Sequence, residues 1–199
     1  MMTKKLGTQV RQDQIARAAL SLLAAHGLQG LNIERVAQRI GMVPSAIYRH
    51  FKSKDEILVA VLELIEQRLL GNVQAVYQES PDCLERLRLL LMRHIRLIRE
   101  NEAIPRIIFS EAVGFGDPAR RARLYGIIEG YLKQVEEILR RGQREGTIRD
   151  DLDPATVAVM FLGLIQPAAI LWHVSAGRFD ATGQVSRAWE IFCEAIRTK

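Results

Sequence analysis

The stretch Asn32–Phe51, NIERVAQRIGMVPSAIYRHF, constrains this chain more than any other. Ile33, Val36, Ala37 and Ile40 recur at the i, i+3, i+4, i+7 spacing that gives a helix one buried face. Asn32 suits its N-cap. Gly41 follows, and glycine closes a helix C-terminus in the left-handed conformation without a Cβ penalty. Pro44 suits the first turn of a second helix, because its fixed φ is helical and its missing N–H would bond nothing there. In that second helix Val43, Ile47 and Phe51 are expected to stack four apart on the buried side. Ser45, Ala46, Arg49 and Lys52 take the opposite side, small near the start and basic beyond. The pattern predicts helix, tight turn, helix. Its second helix has the build to enter a major groove, read base edges with its first turns and neutralise phosphates with the rest.

Charge agrees with that reading. The chain nets +5, yet residues 1–54 alone hold nine Lys or Arg against Asp13 and Glu34, a net of +7, and the remainder nets −2. Basicity confined to one end implies that this end alone meets a polyanion. Cys83 and Cys193 match no metal or redox spacing and are expected to be reduced thiols of a cytoplasmic protein. The first residues, MMTKKLGTQVRQDQ, have no apolar core of a secretory signal and are expected to form a flexible basic arm.

The rest of the chain reads as helix throughout. Gln9 to Ala25 is the first, with Ile15, Ala19, Leu22 and Leu23 inward, ended by His26 and Gly27. Ser53 and Glu56 fit a capping box for a long fourth helix, whose apolar stripe runs from Ile57 to about Tyr77. Such a helix of about 25 residues spans roughly 37 Å, enough to join two domains. Ser80-Pro81-Asp82 breaks it. Further helices are expected over Cys83 to Arg99, from Pro105 to near Gly114, from Pro118 to Gly146, from Pro154 to about Ala176, and from Thr182 to Arg197.

These residues carry a family resemblance. The Ala-rich first helix ending in His26-Gly27, Ile33-x-x-Val36-Ala37, Gly41, Ile47-Tyr48-x-x-Phe51 and Ser53-Lys54-x-x-Ile57-Leu58 together resemble the DNA-binding domain of the TetR family of bacterial transcriptional regulators. The resemblance covers the first 60 or so residues. It implies an all-α chain of about nine helices. A three-helix helix-turn-helix DNA-binding domain over residues 1–53 is joined through helix 4 to a helical effector-binding and dimerisation domain over 54–199. It also implies that Pro44, Ser45, Ala46 and Arg49 face base edges, while Asn32, Tyr48, His50, Lys52 and Lys54 meet phosphates. Lys54 stands at the start of helix 4, where the dipole disfavours a cation, which argues for a phosphate partner. Two positions depart from the family pattern. Val43 replaces the usual Ser or Thr, so the second helix lacks a side-chain cap. Glu34 is an acid near expected phosphates, either a dipole partner or an acceptor for a cytosine amine.

Pro154 to Gly177 contains no Asp, Glu, Lys or Arg. A bilayer span needs about 20 apolar residues, but Gln166-Pro167, Thr156, His173 and Ser175 argue instead for burial on two sides, against the chain's own core and a second subunit. The resemblance likewise implies a homodimer through the last two helices, binding a palindromic operator in double-stranded DNA, with a small hydrophobic effector that releases it. Phe109, Tyr125, Gln166, Trp172 and His173 are the candidate effector contacts, being aromatic or polar groups in apolar surroundings. No catalytic set, metal site or cofactor is expected: the four histidines have no ligand spacing and no Gly-rich phosphate loop occurs. The alternative is a helix-turn-helix protein without an effector, acting in chromosome organisation or through a protein partner.

Overall fold

The computed structural model describes residues 2–101, 103–108 and 117–199. Among them run ten α-helices: α1 Met2–His26, α2 Ile33–Arg39, α3 Pro44–Ile47, α4 Lys54–Glu79, α5 Cys83–Glu100, α6 Ala103–Ile108, α7 Pro118–Arg144, α8 Pro154–Gly163, α9 Gln166–Val174 and α10 Ala181–Ile196. The described residues form no strand beyond an isolated bridge between Ile148 and Arg197. The chain divides into two compact units. One comprises Met1–Gln67 and Asn101–Tyr125, the other Arg68–Glu100 and Gly126–Lys199. Helices α4 and α7 therefore each contribute residues to both units.

In the first unit α1 packs against α2 and α6, and α2 against α3. Ile15, Ala19, Leu23, Val36, Ala37, Ile47, Ile57 and Val61 are almost wholly buried, as the apolar spacing requires. The return from α1 to α2 depends on Gly30, since a Cβ there would lie 2.1 Å from the Cβ of His26. Helix α1 starts at Met2, seven residues before the expected Gln9, so the basic arm is helical rather than extended.

The second unit is built around Leu87, Leu90, Leu91 and Ile95 of α5, Val135, Ile138 and Leu139 of α7, Phe161 of α8, and Val185, Trp189 and Phe192 of α10. Gln143 Nε2 donates to the carbonyls of Arg149 and Leu152 at 2.9 and 2.8 Å and so pins the α7–α8 connection. Asp153 caps α8 from its side chain, as the Asp-Pro pair predicts. The single helix expected from Pro154 to Ala176 is two helices. Pro167 cannot donate to the Gly163 carbonyl and its ring crowds that turn, so the chain tightens at 164–165 before α9 begins. The Pro154–Val174 stretch is long and apolar enough to cross a membrane by length and composition, the test that a core helix also passes. Helix α6 is described over Ala103–Ile108; the expected end near Gly114 lies outside the described residues.

Candidate nucleic-acid interface

Helices α2 and α3 are held in register by local bonds that the sequence specifies. Asn32 Oδ1 accepts from the Arg35 N–H at 2.7 Å and starts α2. At its end Gly41 takes φ 67°, the Met42 N–H reaches the Ala37 carbonyl at 2.9 Å and the Gly41 N–H the Gln38 carbonyl at 3.2 Å. This is a complete Schellman closure, which a left-handed glycine makes cheap. Helix α3 then begins at Pro44, and its last turn is continued by the Phe51 N–H bonding the Ile47 carbonyl at 3.0 Å. Glu56 closes the other side: its N–H donates to Ser53 Oγ at 3.2 Å, and its carboxylate accepts from the Lys52 N–H at 2.7 Å.

The second helix, expected to carry Phe51, ends at Ile47, and the scaffold sorts α3 and the turn that continues it through Lys52 into two sides. Ile47 is fully buried and Phe51 6% exposed, while Pro44, Ser45, Tyr48, Arg49 and Lys52 are exposed and Ala46 partly so. Val43 does not join the buried stack expected for it. It precedes the helix in extended conformation, so helical spacing does not govern it, and it stands 63% exposed with no side-chain cap. The N-terminal end of α3 therefore presents apolar and small groups, with Arg49 and Lys52 farther along.

The basic residues of this unit fall into two groups. Arg39 donates to Ser21 Oγ at 2.7 Å, Arg35 to the Gly30 carbonyl at 3.4 Å, and Lys54 to the Leu28 carbonyl at 2.8 Å. The unfavourable position of Lys54 at the start of α4 is thus relieved within the unit, whether or not a phosphate also reaches it. Arg49 and Lys52 have no such acceptor for their side chains among the described residues. Their charges are free to meet a polyanion. Asn32 is exposed, but its carbonyl oxygen is committed to the α2 cap, which leaves its amide N–H groups for a phosphate. His50 is partly buried and its Nδ1 is enclosed without a partner, so a phosphate contact there runs through Nε2.

The candidate effector residues are more scattered. Tyr125 is 66% exposed rather than in apolar surroundings. Gln166, Trp172 and His173 all lie on α9 and are partly buried, Trp172 against the core of the second unit. Phe109 lies outside the described residues. Two open clefts of the first unit, about 470 and 610 Å³ in volume and sharing Gln12, Phe51, Ala60 and Glu63, are lined by none of the five.

One polar pair escaped the sequence reading. His94 Nδ1 and the Tyr131 hydroxyl share a hydrogen bond of 3.0 Å inside the second unit, with both residues buried and the rings edge to face. Burial pushes the imidazole down to about 4 and the phenol up, so both are neutral near pH 7. The sequence holds no sign that they meet, because the two residues come from different helices, α5 and α7.

Exposed apolar side chains form the other conspicuous surface. Val159 and Met160 of α8, Ile170, Leu171 and Val174 of α9, and Ile191 of α10 are 44 to 77% exposed. These are the helices from which a subunit interface is expected.

Known proteins carry the same architecture. Residues 15–61 match the family described as bacterial regulatory proteins, tetR family, and residues 80–196 match the tetracyclin repressor-like C-terminal domain. Nucleoid occlusion factor SlmA of Vibrio vulnificus is 27% identical over 189 residues, covering 94% of this chain and 96% of that protein. The SlmA of Yersinia enterocolitica is 26% identical over 202 residues, covering 99% and 100%. Among solved structures, the regulator FadR from Bacillus subtilis in complex with stearoyl-CoA superposes with a TM-score of 0.80 at 22% identity, over 92% of this chain and 98% of that one. A TetR transcription regulator from Haloarcula marismortui reaches 0.82 at 21% identity, over 96% and 100%. With its C-terminal match alone spanning more than half its length, and its helix-turn-helix matched separately, the chain belongs to the TetR family of bacterial DNA-binding regulators.

Proposed function

We propose that this regulator is a homodimeric repressor that reads a palindromic operator through α3 and leaves it when a small hydrophobic ligand occupies the second unit. The observation that carries the reading is the division of α3 and the turn that follows it, with Ile47 and Phe51 buried and Ser45, Tyr48, Arg49 and Lys52 turned outward, the two cations without intramolecular partners among the described residues. Pro44, Ser45, Ala46 and Arg49 take base edges. Tyr48, Lys52, Asn32, His50 and Lys54 take phosphates. Two copies related by a two-fold axis then read half-sites about 34–36 Å apart. The exposed apolar residues of α8, α9 and α10 supply the dimer contact, since a soluble monomer has no use for such a surface.

Effector release is supported by the shared fold of FadR from Bacillus subtilis, solved in complex with stearoyl-CoA. A ligand acts only through its different affinity for the DNA-competent and DNA-incompetent conformers. The test is operator affinity of the full chain with and without a panel of hydrophobic compounds, beginning with a long-chain acyl-CoA, the class present in the FadR complex. Weakened operator binding on addition of a compound that binds supports release; unchanged affinity for every compound that binds overturns it.

A second reading has its own support. The SlmA relatives, matched over nearly the whole chain, are named nucleoid occlusion factors. In this reading the chain has no small-molecule effector and acts in chromosome organisation or through a protein partner. Chromosome-wide mapping of bound sites separates the two readings, because a repressor occupies few promoters and an organiser many sites away from them.

A further inference from the structure

The DNA-binding reading leaves one feature of α3 unused. Val43 stands 63% exposed beside exposed Pro44, at the end of the helix that enters the groove in that reading. Two penalties coincide there: branched hydrocarbon left in water, and a helix start without a side-chain acceptor. Several other helices, though not α9, are capped from a side chain. Asn32 accepts from Arg35 N at 2.7 Å, Asp153 from Thr156 N at 3.0 Å and Asp180 from Gly183 N at 2.9 Å. A Ser or Thr at position 43 would offer the first turn of α3 a side-chain acceptor that valine lacks.

The chemistry of this end is mostly hydrocarbon. Pro44 has no N–H, and the Ala46 N–H is already taken by the Val43 carbonyl at 2.9 Å. What faces outward is a pair of valine methyls and a pyrrolidine ring beside Ser45. The major groove offers a matching hydrocarbon group on one kind of base edge, the C5-methyl of a pyrimidine. Resting on the DNA-binding reading above, we infer that Val43 is a specificity-determining residue that packs on a pyrimidine C5-methyl in each half-site. Thymine carries that methyl always and cytosine only when it is methylated, so the same contact makes the operator sensitive to cytosine methylation wherever the facing base is cytosine.

The experiment titrates the full chain against its selected palindrome and against duplexes in which each thymine, at both symmetry-related positions, is replaced by deoxyuridine. That exchange removes the methyl and leaves every hydrogen-bonding group in place. At one position of the half-site, wild-type affinity is expected to fall about fourfold per methyl and about fifteenfold for the symmetric pair. The same exchange is silent for Val43→Ala. Val43→Thr, which keeps one methyl and restores a capping oxygen, retains part of the effect. If the sensitive base is cytosine, installing its 5-methyl raises wild-type affinity by a similar factor and leaves Val43→Ala unmoved. Position 43 is largely exposed, so both variants keep their helicity, which circular dichroism verifies. Methyl effects equal in wild type and Val43→Ala, or absent from every position of a palindrome that is bound, overturn this inference and leave the DNA reading standing. Failure to select any sequence overturns both.

Discussion

Helix α3 and the α8–α10 surface both expose residues that the folded monomer does not use, and they differ in the chemistry they expose. On α3 and the turn that follows it the unused groups are a serine, a tyrosine hydroxyl and two unpaired cations, over a buried Ile47 and Phe51. On α8, α9 and α10 they are Val159, Met160, Ile170, Leu171, Val174 and Ile191, without a charge from Pro154 to Gly177. Folding alone explains neither. A polyanion satisfies the first surface and another apolar face the second, so the two exposures specify two partners, DNA and a second copy. Each surface can be disturbed without the other.

The largest effect is expected where the partner is a second copy. Val174→Asp with Ile191→Asp replaces side chains that are 77% and 74% exposed, so each unit keeps its fold. The pair should convert the protein to a monomer by sedimentation and lower operator affinity by about 100-fold or more, because linking two readers supplies an effective-concentration gain of roughly 10²–10⁴. A dimer that persists breaks the comparison at its second term.

The His94–Tyr131 pair is the control, a polar group that folding has used completely. Its imidazole is depressed from the ordinary 6.5 to about 4 by burial. The unfolded chain therefore binds a proton that the folded chain refuses between those values. Stability is full above about pH 6.5 and falls as the pH drops toward 4, by about 3 kcal/mol in all. Denaturant melts across pH 4 to 7 should show this fall, and His94→Gln should flatten it. Neither change should alter which bases α3 selects.

On the DNA side, Arg49→Ala should lower specific affinity by about 1–3 kcal/mol and relax preference at one base position. Lys52→Ala should weaken binding to all sequences alike and reduce the salt slope by about one. Competition assays with single-base operator variants distinguish the two patterns, and identical behaviour of both variants contradicts the division between base and phosphate contacts. Lys54 is a less clean probe, because its ammonium also holds the Leu28 carbonyl.

The smallest effect lies at the end of α9. Ala176 takes φ 52° at the left-handed position of a closure in which the Gly177 N–H bonds the Trp172 carbonyl at 2.8 Å. Ala176→Gly should stabilise the protein by about 0.5–1 kcal/mol, the relief of the Cβ penalty less the added freedom of the unfolded chain. Thermal melts at fixed protein concentration measure it.

What could be read in the sequence was what short-range chemistry determines. The cap at Asn32, the closure at Gly41, the start at Pro44 and the bond from the Glu56 N–H to Ser53 Oγ each depend on residues within a few positions, and all are present; the Glu56 carboxylate takes the Lys52 N–H rather than that of Ser53. Val43 was misplaced because periodicity was extended one residue beyond the helix. The break at 164–165 was announced by Pro167 but outweighed by the continuous apolar run. Partners distant in sequence were not readable: Lys54 with Leu28, and His94 with Tyr131, meet only once the helices pack. Tyr125 was expected in apolar surroundings because its neighbours on α7 are apolar, yet its own position on the helix faces solvent.

The most direct test of the account is selection of bound sequences from a random duplex pool by the full-length chain. A palindromic motif with half-site centres about one helical turn apart, or a multiple of it, is the predicted result. Recovery of no motif, or of one asymmetric site bound by a monomer, contradicts the claim that α3 and the α8–α10 surface together make a two-fold reader of DNA.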